Sequence, residues 1–239
     1  MNDLAVAVGV GVVAAVLGIP VGRWLEATTY RKPDEDDVPH PGRRWWVPLV
    51  LGLVSALTVH RIWFVEDDAV PGWPVALVLT ATALLVILSC VCLAAMDLDV
   101  HRLPDRIMWP TMGFLGAGVT LAALVGGGFD PWLRSVLAAV ASGGFYLVLA
   151  LVSLARGSLA LGLGDVKLAV VLGGALGWYG WTETVAGIYA GFLVGGLVAV
   201  GLLVARRVSW RGDFAYGPPM MVGALLGFLL APQMGGGLF

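Results

Sequence analysis

Gly162-Leu163-Gly164-Asp165 lies between two long apolar runs, so it places one carboxylate at a predicted membrane boundary. Ionisable side chains near the hydrocarbon region are costly, and they usually pair, face a cavity or take part in chemistry. Aspartate is also a favoured helix N-cap, and the helix predicted from Val166 to Trp178 needs such a cap. Asp165 is therefore either a functional carboxylate or a helix cap.

The composition on either side of this stretch is that of a polytopic membrane protein. Hydrophobic residues make up 59% of the chain and charged residues 13%, against roughly 25% charged residues in soluble domains. Apolar runs near the ~20 residues that cross a bilayer predict an all-α fold with about eight transmembrane helices. Glycines inside these runs predict close helix packing, and no nucleic-acid partner is expected. The predicted spans are Leu4–Val21, Val47–Val65, Trp73–Met96, Met108–Gly126, Trp132–Ala155, Val166–Trp181, Thr184–Ala205 and Tyr216–Ala231.

The basic residues predict the orientation of these spans. Lys and Arg concentrate after the first, third, fifth and seventh spans, and the positive-inside rule assigns that side to the cytoplasm. Both termini are then expected outside, and the first run is expected to be a retained helix because no basic segment precedes it. The residues that carry this prediction are Arg23, Arg31, Lys32, Arg43, Arg44, Arg102, Arg106, Arg156, Lys167, Arg206, Arg207 and Arg211.

The polar insert between the first two spans is the longest hydrophilic segment, and its acidic run follows Lys32. Without glycine or spaced ligands, this run indicates a short irregular loop rather than a cation site. Cys90 and Cys92 lie in an apolar run at a spacing that points them in different directions on a helix, so reduced, buried thiols are expected. No metal site is predicted.

Asp97 is a second carboxylate at a predicted span end. A negative charge at a helix C-terminus opposes the macrodipole, so capping is not expected to explain it. Two spans separate Asp97 from Asp165, so both return to the same membrane face in either orientation and can meet. Asp99 and Asp105 follow in the same turn, and solvated or salt-bridge roles beside Arg102 and Arg106 are expected for them.

Two carboxylates that meet in a low-dielectric site share a proton and form an acid–base pair. One would deprotonate a water molecule while its protonated partner polarises a scissile carbonyl, and the roles would exchange as the leaving amine is protonated. Asp97 and Asp165 are therefore the predicted catalytic residues. Gly162 and Gly164 would let an extended substrate backbone approach closely.

These motifs resemble those of the type IV prepilin peptidase family over roughly Val75–Leu230. Asp97 with Leu103-Pro104 is similar to the family's first catalytic motif. The segment from Gly162 to Leu168, of sequence GLGDVKL, resembles its second motif, and the segment from Phe214 to Pro218 resembles its final Pro-Phe-Gly-Pro with two departures.

The resemblance implies an eight-helix aspartic endopeptidase of the bacterial inner (plasma) membrane that cuts the basic leader from prepilin-like (pilin or pseudopilin) precursors at the cytoplasmic face. It also implies substrate contacts at Gly162, Gly164, Lys167 and Pro104. Residues 1–65 are interpreted as an N-terminal helix pair with a short cytosolic loop, and residues 66–239 as the membrane-embedded peptidase domain.

Many members of this family carry a zinc-binding, cysteine-rich insert and methylate the new N-terminus with S-adenosylmethionine. This insert has no cysteine, so the chain resembles a short form without zinc, and methyltransferase activity does not follow from the resemblance. Peptidase activity itself needs no cofactor. The expected partners are the precursor and the lipid bilayer, and the sequence does not determine the oligomeric state.

Two alternatives remain open. The first is another Gly-x-Gly-Asp intramembrane protease of the signal peptide peptidase or presenilin type, although Met96 precedes Asp97 where those families use Tyr, and no Pro-Ala-Leu turn is present. The second is a proton-coupled transporter, in which paired carboxylates relay protons. Such transporters usually place them near mid-membrane, whereas both aspartates here lie at predicted span ends.

Overall fold

The computed structural model describes residues 2–32, 39–65, 70–155, 161–205 and 215–235. These residues form eight α-helices and no strand, which confirms the predicted all-α class. Most of the acidic run of the insert, the predicted loop arginines Arg156, Arg206, Arg207 and Arg211, and Phe214 lie outside the described residues. The helices are α1 Asn2–Glu26, α2 Trp46–Phe64, α3 Trp73–Val100, α4 Asp105–Ala122, α5 Phe129–Ala155, α6 Leu163–Gly177, α7 Trp181–Val204 and α8 Gly217–Gly235.

Six helices in the described ranges are long and apolar enough to cross a membrane, namely α1 to α5 and α7. Helix α4 is lengthened by a π-helical turn at Ala123–Gly127. Helix α6 has 15 residues, which span about 22 Å at ~1.5 Å per residue, less than the ~30 Å hydrocarbon core. The apolar part of α8 is also short. The two short helices are the ones whose first turns form the candidate site.

The helices pack mainly as sequential pairs, with α1 on α2, α3 on α4, α5 on α6 and α7 on α8. Glycine permits the closest approaches, as the sequence predicts. A Cβ atom built on Gly11 would lie 2.8 Å from the carbonyl oxygen of Gly52, and one built on Gly227 would lie 2.5 Å from the nitrogen of Gly187. The pairs α1–α2 and α7–α8 therefore depend on backbone-to-backbone contact.

Two apolar clusters join these pairs. The larger cluster draws on α3, α4, α6 and α8, with Leu93, Met108 and Leu168 fully buried at its centre. The smaller cluster attaches the α1–α2 pair to α3, and it includes Leu25 and Met96. The end of α3 therefore contacts both the main bundle and the N-terminal helix pair.

The structure corrects the predicted end of the third helix. Helix α3 continues to Val100 rather than ending at Met96, because His101 adopts a left-handed conformation (φ 51°) and its N–H returns to the carbonyl oxygen of Asp97 at 3.0 Å. Asp97 and Asp99 consequently belong to the last helical turns. Pro104 then precedes α4, which begins at Asp105.

Candidate active site

Asp97 is 5% exposed and lies at the beginning of another helix. Its Oδ2 accepts a hydrogen bond from the backbone N–H of Gly217, the first residue of α8, at 2.9 Å. Free N–H groups and the dipole favour negative charge at a helix N-terminus. The prediction that capping does not explain Asp97 is therefore wrong, because this carboxylate opposes the dipole of α3 but caps α8.

Gly217 is suited to this contact because it lacks a side chain. A Cβ atom at this position would lie 2.9 Å from Asp97 Oδ2 and 3.6 Å from Leu103 Cδ2. The carboxylate can therefore approach the backbone of α8 only while residue 217 remains glycine.

Asp165 is the third residue of α6 and is half-buried. Its Oδ2 accepts a hydrogen bond from the N–H of Gly162 at 3.0 Å, and the Asp165 N–H donates to the carbonyl oxygen of Gly162 at 3.1 Å. The N-cap residue is Gly162, so the interpretation of Asp165 as the N-cap itself is corrected. The carboxylate nevertheless satisfies one amide at the start of α6.

The two carboxylates lie at the same end of the bundle and are near enough to interact electrostatically. Each accepts a backbone N–H at a helix N-terminus, Asp97 from α8 and Asp165 from its own helix. Like charges at short range do not both ionise readily, so such a pair holds a shared proton. A group that can both take up and release a proton is suited to general acid–base catalysis.

The turn between α3 and α4 packs onto the start of α6. A Cβ atom on Gly164 would lie 3.0 Å from Leu103 Cβ, so this glycine provides space for Leu103. Pro104 is the N-cap of α4, with an extended conformation (ψ 132°). The predicted substrate-binding residues Gly164 and Pro104 are thus also structural residues of this junction, and their role toward a substrate stays a prediction.

Lys167 binds Asp105 across the same junction. Its Nζ donates to Asp105 Oδ1 and lies 5.5 Å from the ring centroid of Trp109. The predicted pairing of Asp105 with a neighbouring arginine is therefore not the one observed, because the first turn of α4 faces the first turn of α6. Lys167 remains partly exposed and is positioned beside the candidate site.

Asp99 has partners that the local sequence did not predict. It accepts hydrogen bonds from Tyr30 and Arg31, both in the segment after α1, and Arg44 lies nearby. Burial raises the pKa of the Tyr30 phenol, and its hydrogen bond to Asp99 raises that pKa further, so the phenol is a proton donor at neutral pH. The expected pairing of Asp99 with Arg102 or Arg106 is replaced by an ion pair with a residue 68 positions away.

Two tyrosines near Asp165 were missed. Tyr146 of α5 and Tyr216, which precedes α8, lie with their ring centroids 6.4 Å apart, and both phenols interact electrostatically with Asp165. Tyr146 also stacks on Phe192 at 5.5 Å. Signals for both were available, because Tyr146 is an isolated phenol in an apolar run and Tyr216 lies in the segment similar to a family motif.

A zinc site of the cysteine-rich type does not fit the residues present. Both cysteines are free thiols on α3, whereas the insert that would need thiolate ligands follows α1. Across the described ranges, no group of three or more His, Cys, Asp or Glu residues could hold a metal ion. The chemistry derived below therefore uses side chains and backbone amides alone.

Comparisons with known proteins give a consistent family. The model of the Type IV leader peptidase family matches residues 84–203, which include Asp97 and Asp165. The chain is 31% identical over 181 residues to the prepilin leader peptidase/N-methyltransferase of Aeromonas salmonicida (strain A449), covering 74% of this chain and 57% of the relative. It is 32% identical over 145 residues to the protein of the same description from Neisseria gonorrhoeae, covering 60% and 46%. The matched region thus spans about half the length of these relatives, and no solved structure matches the chain.

Proposed function

Because this chain belongs to the type IV leader peptidase family, we propose that it is an aspartic endopeptidase that removes the basic leader from type IV prepilin-like precursors, either pilins or pseudopilins. The observation that carries the proposal is the meeting of Asp97 and Asp165, brought from α3 and α6 to one end of the bundle. A transporter carboxylate near mid-membrane would not need two helix N-termini beside it.

In the proposed reaction, the ionised member of the pair takes a proton from water as the water oxygen adds to the scissile carbonyl carbon. The protonated member donates its proton to the carbonyl oxygen. Collapse of the tetrahedral intermediate breaks the C–N bond, and the leaving amine takes the proton that came from water. The amides of Gly217 and Gly162 hold the two carboxylates in place, so they need little rearrangement between steps.

Substrate contacts are proposed beside the pair. A Cβ atom at Gly162 would meet only Asp165 and Gly164 of its own turn within 4 Å among the described residues, so an extended peptide backbone can approach this glycine. Lys167 is held by Asp105 but remains accessible, and its charge suits a carbonyl or carboxylate oxygen of the substrate. Gly164 and Pro104 would act indirectly, by fixing the junction that borders the peptide.

The proposed location is the bacterial inner membrane, with the site facing the cytoplasm. Support comes from the basic residues at the same end as Asp97, which include Arg31 and Arg44 near Asp99 and Lys167 near Asp165. We further propose that the enzyme cleaves without methylating, because its insert lacks the cysteines that would organise a zinc subdomain.

The test is cleavage of candidate pilin and pseudopilin precursors by the purified protein, with the products identified by mass spectrometry. We expect a mature product without its basic leader from the unaltered enzyme. Asp97→Asn and Asp165→Asn should each lower the rate by at least about a hundredfold, since general acid–base catalysis supplies ~10²–10⁴. Near-normal turnover by either variant would rule out the carboxylate pair.

A further inference from the structure

Asp99 forms the most extensive side-chain ion-pair cluster in the described part of the chain, two residues beyond Asp97. We propose that Asp99 is a positioning residue: by binding Tyr30 and Arg31 of the segment after α1, it fixes the end of α3 and therefore the catalytic carboxylate of Asp97. The kinetic part of this inference rests on the proposed peptidase function.

The geometry of the cluster favours an orienting role. Tyr30 donates its O–H to Asp99 Oδ2 at 2.6 Å, and Arg31 donates from Nε to Oδ2 at 3.0 Å and from Nη2 to Oδ1 at 2.7 Å. Arg44 Nη2 lies 3.9 Å from Oδ1. A two-pronged guanidinium contact defines the angle of the carboxylate as well as its distance. Both carboxylate oxygens are therefore fixed by groups from outside the helix.

The burial of the cluster indicates specificity rather than simple stabilisation. The Asp99 side chain is 3% exposed and the Arg31 side chain 9%. A buried ion pair gains little net stability because desolvation offsets the attraction, but removal of one partner leaves an uncompensated charge. The cluster thus favours one arrangement of α3 against the segment after α1 over the alternatives.

The connection from Asp99 to Asp97 is short. Both residues lie in the last turns of α3, and the His101 N–H closes the helix on the carbonyl oxygen of Asp97. The last carbonyl groups of a helix lack helical partners, so a helix end frays unless other contacts hold it. On one side Gly217 holds Asp97, and on the other the cluster holds Asp99. Loss of the cluster leaves Asp97 restrained from one side only.

The residues that restrain Asp99 come from a different part of the chain. Tyr30 and Arg31 precede residues 84–203, the region that matches the family model. Leu25, at the end of α1, belongs to the same apolar cluster as Met96, the neighbour of Asp97. The N-terminal helix pair therefore contributes to the geometry of the site without supplying a reacting group.

The test compares full-length variants in the precursor-cleavage assay. Asp99→Ala should lower kcat by about tenfold with KM within about twofold, because a catalytic group misplaced by ~1 Å costs up to ~10² in rate while no substrate contact is lost. Tyr30→Phe, which removes one hydrogen bond, should lower kcat by a smaller factor. It also serves as the test variant if Asp99→Ala does not fold. The control is His40→Ala, an exposed residue of the same insert whose contact is with the Gly42 N–H, and we expect its kcat unchanged.

A second measurement does not depend on the substrate. Hydrogen–deuterium exchange followed by mass spectrometry reports the Gly217 amide, whose N–H donates to Asp97. Exchange should be faster in Asp99→Ala and Tyr30→Phe than in the unaltered protein or His40→Ala. If faster exchange is found and no precursor is cleaved by the unaltered protein, the proposed function fails while the positioning role stands. Unchanged kcat together with unchanged exchange in both variants overturns the positioning role.

Discussion

Substitution of Gly217 by alanine tests whether the helix-terminus contact to Asp97 serves catalysis. The alanine Cβ would lie 2.9 Å from Asp97 Oδ2 and 3.4 Å from Asp97 Cγ, both inside or at the limit of ordinary contact. Either the carboxylate or the start of α8 must move by several tenths of an ångström. The hydrogen bond from the Gly217 N–H, now 2.9 Å, would then lengthen or break.

The magnitude follows from that hydrogen bond. A hydrogen bond to a charged group contributes about 1.5–3 kcal/mol, and each ~1.36 kcal/mol of barrier changes a rate tenfold. If the bond holds Asp97 in its reactive position, kcat should fall by about one to two orders of magnitude. If Asp97 merely caps α8, the substitution should lower the unfolding temperature and leave kcat of the folded enzyme intact.

The assay is cleavage of a pilin precursor by the purified full-length variant, with the unfolding temperature measured on the same sample. Gly196→Ala is the matched control, because nothing among the described residues lies within 4 Å of a Cβ at this helical glycine of α7. We expect normal cleavage from the control and a kcat lower by at least about tenfold from Gly217→Ala. A folded Gly217→Ala enzyme with the kcat of the control would refute the catalytic role of the contact.

Two further predictions concern the orientation and the second activity. In a variant without the two native cysteines, a cysteine at Arg106, exposed in the first turn of α4, should react with a membrane-impermeant reagent only from the cytoplasm. A cysteine at Pro71, before α3, should react only from outside, and the reverse pattern would exclude a cytoplasmic site. The mature product made in the presence of S-adenosylmethionine should have an unmodified N-terminus by mass spectrometry. A product heavier by one methyl group would contradict the proposed loss of methylation.

Hydropathy determined the helices because it is a local property of the chain. The apolar runs predicted all eight helices, and two intervening spans were enough to bring Asp97 and Asp165 to the same end. Helix ends were less predictable. Helix α3 runs past Met96 through polar residues to Val100, since its termination depends on the left-handed conformation of His101 rather than on polarity.

Only the tertiary structure decided which groups surround each carboxylate. Asp97 opposes its own helix dipole, yet it caps α8 through Gly217, 120 residues further along the chain. Asp99 pairs with Arg31 rather than with the arginines of its own turn, because packing of the N-terminal helix pair on α3 brings Arg31 within hydrogen-bond distance. Sequence by itself determined the helices, the candidate carboxylates and the family resemblance. The partners of those carboxylates depend on how distant helices pack, and no local pattern encodes that distance.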